Sequence, residues 1–182
     1  MVGPVGVVSP QLMWDMADVL QAQKAPASQE EAEQGGGVEG LAAALVAMAA
    51  TAHALNTQSH LAHLNVEGPG FFELHRFLKK QYEKHLEQFD VLAELVRSLD
   101  RFMPACACGL LDAAGPFEHI KSYQCRDMLM TYLKNLEAFG MAAKELEKLA
   151  QEECAPDVAN YAAELVGEAF TDSWKLKSYL RG

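Results

Sequence analysis

Between residues 39 and 180, apolar side chains return every three or four positions, and only three stretches interrupt the pattern. A run of that period buries one side and leaves the other in water, so it must pack against a neighbour. The first run, about Glu39 to Asn65, steps through Leu41, Leu45, Met48, Ala52 and Leu55. Val66-Glu67-Gly68-Pro69-Gly70 stops it, because glycine and proline do not continue a helix cheaply. The second, about Phe71 to Leu99, carries Leu74, Leu78, Tyr82, His85, Phe89, Leu92, Val96 and Leu99. The third, about Tyr123 to Glu152, carries Leu129, Leu133, Leu136, Phe139, Leu146 and Leu149. Pro156 suits the first turn of a fourth, which carries Val158, Tyr161, Leu165, Ala169 and Leu176 and ends near Leu180. No strand-like alternation competes. The expected fold is all-α, a four-helix bundle over residues 39–182. A long connection, Pro104 to Pro116, is able to cross one end of it between helices two and three.

Residues 1–38 read as an extension to that bundle. Pro10 to Leu20 has the pattern of a short amphipathic helix, and residues 21–37 are small, polar and glycine-rich, as in a linker. The opening MVGPVGVVSP lacks the basic start and uninterrupted apolar run of a secretory signal. No stretch reads as long and apolar enough to span a bilayer, so the cytoplasm is the expected location. The formal net charge of −10 argues against non-specific binding to DNA or to an anionic membrane face. An acidic surface instead gathers cations. Cys106, Cys108, Cys125 and Cys154 are expected to be reduced thiols, mostly structural. The lone C-x-C of Cys106 and Cys108 has no second pair at zinc-ribbon spacing, so a structural zinc site is not expected.

Six histidines in an acidic helical chain invite a metal reading. Imidazole with carboxylate, and no thiolate nearby, suits iron, zinc or manganese. A di-iron site inside one bundle needs Glu-x-x-His on two helices, and the chain contains no such motif. The remaining candidates lie on the first two helices. His63 ends helix one, His75 opens helix two, and the Gly-Pro-Gly turn brings those ends together. Asp90 and Glu94 sit four apart further along helix two and share a face. Fifteen residues at 1.5 Å each put His75 and Asp90 roughly 22 Å apart, beyond the reach of one ion. Fifteen steps of about 100° leave them only about 60° apart around the helix. Two copies of helix two, antiparallel about a twofold, therefore bring the histidines of one chain beside the carboxylates of the other. Such a site occurs twice per dimer.

Here a resemblance becomes specific. The stretch His63-Leu-Asn-Val-Glu-Gly-Pro-Gly-Phe-Phe-Glu-Leu-His75, followed by Phe89-Asp90-Val-Leu-Ala-Glu94, resembles the Dps miniferritins (DNA-protection-during-starvation proteins). That family has His-Trp-Asn-Val-x-Gly-x-x-Phe-x-x-x-His and then Asp-x-x-x-Glu at the same offsets. The likeness runs weakly on to Trp174-Lys-Leu-Lys-Ser-Tyr-Leu180 and covers about Glu39 to Gly182. It implies a ferritin-like bundle, a hollow dodecamer built from twofold dimers, and intersubunit sites. Those sites bind Fe(II) and oxidise it, preferentially with hydrogen peroxide, leaving ferric mineral inside. The implied metal residues are His63, His75, Asp90 and Glu94.

Two departures stand out. Lys79 occupies the position four after the second histidine, where the family commonly has an acidic ligand, and Leu64 replaces the family's tryptophan. Lys79 sets up the alternative expectation, a non-catalytic or zinc-binding shell whose iron site is incomplete. His60, one turn before His63, is a further candidate ligand, read foremost as a surface or interface histidine. His85 falls on the apolar stripe and reads as a buried, hydrogen-bonded histidine; His53 and His119 have no acidic partner at helical spacing. DNA binding attributed to lysine-rich tails is not expected. Residues 1–38 hold only Lys24 against Asp15, Asp18, Glu30, Glu31 and Glu33.

Overall fold

The computed structural model describes residues 29–182, with side chains from Gly37 onward. Its helices are α1 (Gln29–Asn65), α2 (Phe71–Ser98), α3 (Ala107–Ala113), α4 (Cys125–Glu152) and α5 (Pro156–Leu180). The bundle unit is Gly37–Gly182. The short helix expected over 10–20 and the first part of the linker lie outside the described residues. Residues 29–37, read as linker, belong to α1 instead. Glu30, Glu31, Ala32, Glu33 and Gln34 are good helix formers, and their preference outweighs the glycines that suggested a break.

The four long helices meet along one core. Leu41, Leu45, Met48, Ala52 and Leu55 of α1 pack with Leu74, Leu78, Leu92 and Val96 of α2. Leu129, Leu136, Phe139 and Leu146 of α4 and Val158, Leu165, Ala169 and Leu176 of α5 close the other side. Gly140 lets α4 and α5 approach closely, since a Cβ there would stand 3.0 Å from the Cβ of Ala169. The α2 stripe differs from the expected one by a single position at two places. Gln81 and Gln88 are buried, whereas Tyr82 and Phe89 lie half-buried beside α1. A polar network, described below, satisfies the two amides and makes their burial tolerable.

One expectation about α1 does not hold. Gly37–Asn65 is long and apolar enough to cross a membrane by length and composition. Its apolarity comes largely from alanines such as Ala42, Ala49, Ala50 and Ala52, and these are buried in the bundle. Core packing accounts for the apolar content of this helix.

Two corners set the geometry of the site. At the α1–α2 turn, Gly68 and Gly70 take φ of 90° and 77°, a region that strains any residue with a Cβ. The Tyr179 hydroxyl of α5 donates to the Pro69 carbonyl at 3.0 Å and pins this turn to the far helix. A Cβ on Gly70 would come within 2.5 Å of that hydroxyl, while a Cβ on Gly68 would meet nothing. Gly68→Ala is therefore expected to cost backbone strain alone, about 1–2 kcal/mol. Gly70→Ala should cost more, because the Tyr179 anchor is displaced as well. Urea unfolding of the two variants checks the order, and equal losses would contradict it.

The other corner is the long connection. Asn135 Oδ1 accepts from the Glu118 amide at 2.9 Å, and Gln58 Nε2 donates to the Glu118 carbonyl at 2.8 Å. These bonds tie the connection to α1 and α4. It contains α3, which sequence reasoning did not find. The Cys106 sulfur caps α3, accepting from the Gly109 amide at 3.2 Å. All four cysteines are free, as expected, but Cys106, Cys108 and Cys154 are exposed rather than packed.

Candidate metal centre

The Gly-Pro-Gly turn places the end of α1 against the start of α2 and stacks the His63 and His75 rings, with centroids 3.7 Å apart. Each ring is held by the other residue's backbone. His63 Nδ1 lies 2.8 Å from the His75 carbonyl, and His75 Nδ1 lies 3.0 Å from the His63 carbonyl. A carbonyl oxygen only accepts, so both Nδ1 atoms carry the proton. In the neutral rings this leaves Nε2 of each unprotonated, the form in which imidazole ligates a metal. His63 is buried and His75 half-buried, so the pair is a fixed feature of the corner.

Aromatic neighbours extend the pair. Tyr82 stacks on His60 at 4.2 Å and meets His63 edge-on at 5.4 Å. Asn56 Nδ2 donates to the Tyr82 carbonyl at 2.7 Å and holds this turn of α2 against α1. His60 is exposed, 6.1 Å from His63 by ring centroid, on the same face. Tyr82 was legible only as a stripe residue; its position seven after His75 was the available signal.

Asp90 and Glu94 project from the far part of α2, both exposed. Because α2 is one unbroken helix, they stand roughly 22 Å and 28 Å from His75 within a single chain. Among the described residues, no three His, Cys, Asp or Glu side chains of one chain converge on a point. The structure thus joins the two histidines and separates them from the two carboxylates. Lys79 pairs with Glu83 at 3.6 Å within the chain, an exposed contact of small energetic weight. An open cleft of about 790 Å³ lies between α1 and the connection, bordered by His53, Leu61, Cys106, His119 and Tyr123. None of His63, His75, Asp90 and Glu94 borders it.

His85 is buried, as expected, and sits in a closed polar ring linking α2, α4 and α5. Its Nδ1 is 2.7 Å from Gln88 Oε1 and its Nε2 is 2.9 Å from the Tyr132 hydroxyl. That hydroxyl is also 2.9 Å from Gln81 Oε1. The amides face outward to acids: Gln88 Nε2 donates to Glu168 Oε2 at 2.7 Å and Gln81 Nε2 to Asp172 Oδ2 at 3.0 Å. Lys84 closes the ring, 2.5 Å from Asp172 and 3.8 Å from Glu168. Burial pushes the Asp172 carboxyl up, but hydrogen bonds from Lys175, Lys84 and Gln81 outweigh it and hold it below the ordinary range. Burial, with Asp172 nearby, raises the Tyr132 phenol well above its usual value. Burial also lowers His85 to about 4, against a smaller upward pull from its bond to Gln88.

A helical bundle with a long second connection, a paired-histidine corner and carboxylates further along the same helix has the layout of a ferritin-like protein. The chain belongs to the ferritin-like family, whose domain model matches residues 42–182. Within it, this is a miniferritin of the Dps family. It is 25% identical over 122 residues to the DNA protection during starvation protein of Helicobacter pylori, covering 66% of this chain and 85% of that protein. An archaeal Dps homologue from Halobacterium salinarum is 29% identical with a TM-score of 0.74, over 80% of this chain and 81% of that one. Dps from Thermosynechococcus elongatus superposes with a TM-score of 0.77 at 22% identity, over 80% and 93% of the two chains.

Proposed function

We propose that this chain pairs about a twofold axis, assembles into a hollow dodecameric shell, and oxidises Fe(II) at sites shared between subunits. The observation that carries this reading is the stacked His63–His75 pair, with each Nδ1 bonded to a backbone carbonyl and each Nε2 left for a metal, at the start of the helix that carries the exposed Asp90–Glu94 pair. In an antiparallel dimer each pair of imidazoles faces the partner's pair of carboxylates. Such a mixed nitrogen and oxygen set holds Fe(II) and leaves positions open to hydrogen peroxide. Ferric product would then enter the cavity as mineral, consuming iron and peroxide together. With a net charge of −10 and an N-terminal extension poor in basic residues, the shell is not expected to bind DNA directly. The cytoplasm is the compartment this role suits.

Lys79 supports a second reading. It lies one helical turn after His75, so its ammonium reaches the same face and disfavours a second cation there. A shell that has lost ferroxidase activity, or one that prefers zinc, would follow. Anaerobic Fe(II) titration, then peroxide, separates the readings. Rapid ferric absorbance supports iron oxidation, and turnover no faster than protein-free iron would remove it. Tight zinc retention with slow iron turnover would favour the second reading. Lys79→Asp should raise the number of Fe(II) bound per site and speed oxidation several-fold; an unchanged titration would show that Lys79 does not compete for the site.

A further inference from the structure

The iron chemistry proposed above uses neither sulfur of the C-x-C. Cys106 and Cys108 are both exposed, so packing does not account for them. Cys106 is the N-cap of α3, and Cys108 is the second residue of that helix. Ala107 between them is helical, and helical geometry sets Cα atoms two apart at about 5.5 Å, inside the range a disulfide spans. The cap turns the Cys106 side chain the same way. Its backbone is extended, at φ −138° and ψ 155°, and its sulfur lies 3.2 Å from the Gly109 nitrogen. That nitrogen is bonded to the carbonyl carbon of Cys108, so the sulfur already lies against the Cys108 backbone. A Cβ at Gly109 would stand 3.4 Å from the same sulfur, and glycine keeps that approach open.

We propose that Cys106 and Cys108 are a redox-active pair that hydrogen peroxide closes into a disulfide, and that closure releases α3. The step needs no iron and stands independently of Fe(II) oxidation. One thiolate attacks a peroxide oxygen, the O–O bond breaks, and a sulfenic acid forms as the first water leaves. The other sulfur displaces the sulfenic oxygen, which leaves as the second water. Two thiols thus lose two electrons and two protons, and one peroxide becomes two waters. A small external thiol reverses the step by exchange. Closure ties the Cys106 sulfur to Cys108 in place of the Gly109 amide, and α3 has little else to hold it. None of its seven residues is buried, and its Leu110 amide bonds the carbonyl of the cap residue itself. Cys106, Leu110 and Leu111 border the open cleft against α1, so release of α3 reshapes one wall of that cleft.

The test uses the whole chain, reduced, stripped of metal with a chelator, and then treated with one equivalent of hydrogen peroxide per subunit. Free thiols should fall from four to two per chain. The tryptic peptide 102–121 holds only Cys106 and Cys108 and should become about 2 Da lighter, the mass of the two hydrogens lost. Hydrogen exchange at Gly109 and Leu110 should quicken several-fold and return to its starting rate with dithiothreitol. Cys106→Ser keeps an oxygen at the N-cap but cannot close the disulfide, so its α3 exchange should not respond to peroxide. Sulfur oxidised only to sulfinic acid or to bonds between subunits, or a peptide 102–121 of unchanged mass, overturns the pair. A disulfide that forms without quickening exchange in α3 overturns the release.

Discussion

Subunits carrying His63→Ala and subunits carrying Asp90→Ala, each no faster than protein-free iron, should regain about a quarter of wild-type Fe(II) oxidation when unfolded together and refolded as a mixture. The fraction follows from the twofold. A mixed dimer has two sites. One combines the damaged histidines with the damaged carboxylates, and the other combines the intact halves. Random pairing makes half of all dimers mixed, and each mixed dimer has one working site of two. A site contained within one chain would give no recovery, because every chain in the mixture is defective. The arrangement along α2 makes the prediction sharp, since His75 and Asp90 are separated by fifteen residues of one straight helix. Recovery at the level of either parent would sink the intersubunit site.

Acid should destabilise the bundle through His85 well before it reaches the carboxylates. The ring around His85 has three inner links: Nδ1 to Gln88, Nε2 to Tyr132, and Tyr132 to Gln81. A neutral imidazole brings one proton and the phenol another, so one link goes without. A third proton would complete the ring, but burial keeps it off His85 until about pH 4. Unfolded, the same imidazole takes up its proton near the ordinary 6.5. The folded value is the lower one, so stability is lost as pH falls from 6.5 towards 4. The difference of about 2.5 units corresponds to about 3 kcal/mol at full extent. Asp172, held below its ordinary range, contributes in a separate window, present above the unfolded carboxylate value and lost at more acid pH. Urea unfolding of wild type and His85→Gln at pH 7, 5 and 4, at one protein concentration, isolates the histidine. A wild-type slope no steeper than that of His85→Gln would refute the assignment.

The long helices were legible because their apolar residues keep period through most of each one. Expected and observed boundaries agree at Asn65, Phe71, Glu152, Pro156 and Leu180. The short α3 was not legible. Ala-Cys-Gly-Leu-Leu-Asp-Ala is too brief to show a period, and Pro104 and Pro116 flank it like loop punctuation. The α2 stripe erred for a different reason. Pattern reading prefers Tyr82 and Phe89 to the neighbouring glutamines, because an unpaired buried amide is expensive. The partners that remove this penalty, Tyr132, Glu168 and Asp172, come from helices some fifty to ninety positions away. Alanine misled the reading of α1, since it counts as apolar without widening a stripe. At the site, residue types and spacings were visible in the sequence, whereas the mutual bracing of His63 and His75 depends on carbonyls that no side-chain pattern reports.

That bracing makes the two imidazoles a chelate completed by folding. Each ring is oriented by the backbone of the other, so the rotational freedom a metal would otherwise have to remove is already gone when the chain has folded. The carboxylates carry no such preparation; Asp90 and Glu94 are exposed, and no hydrogen bond among the described residues fixes either one. In the proposed site, the histidine half would thus specify where the metal sits, and the half contributed by the partner would adjust as ferrous becomes ferric.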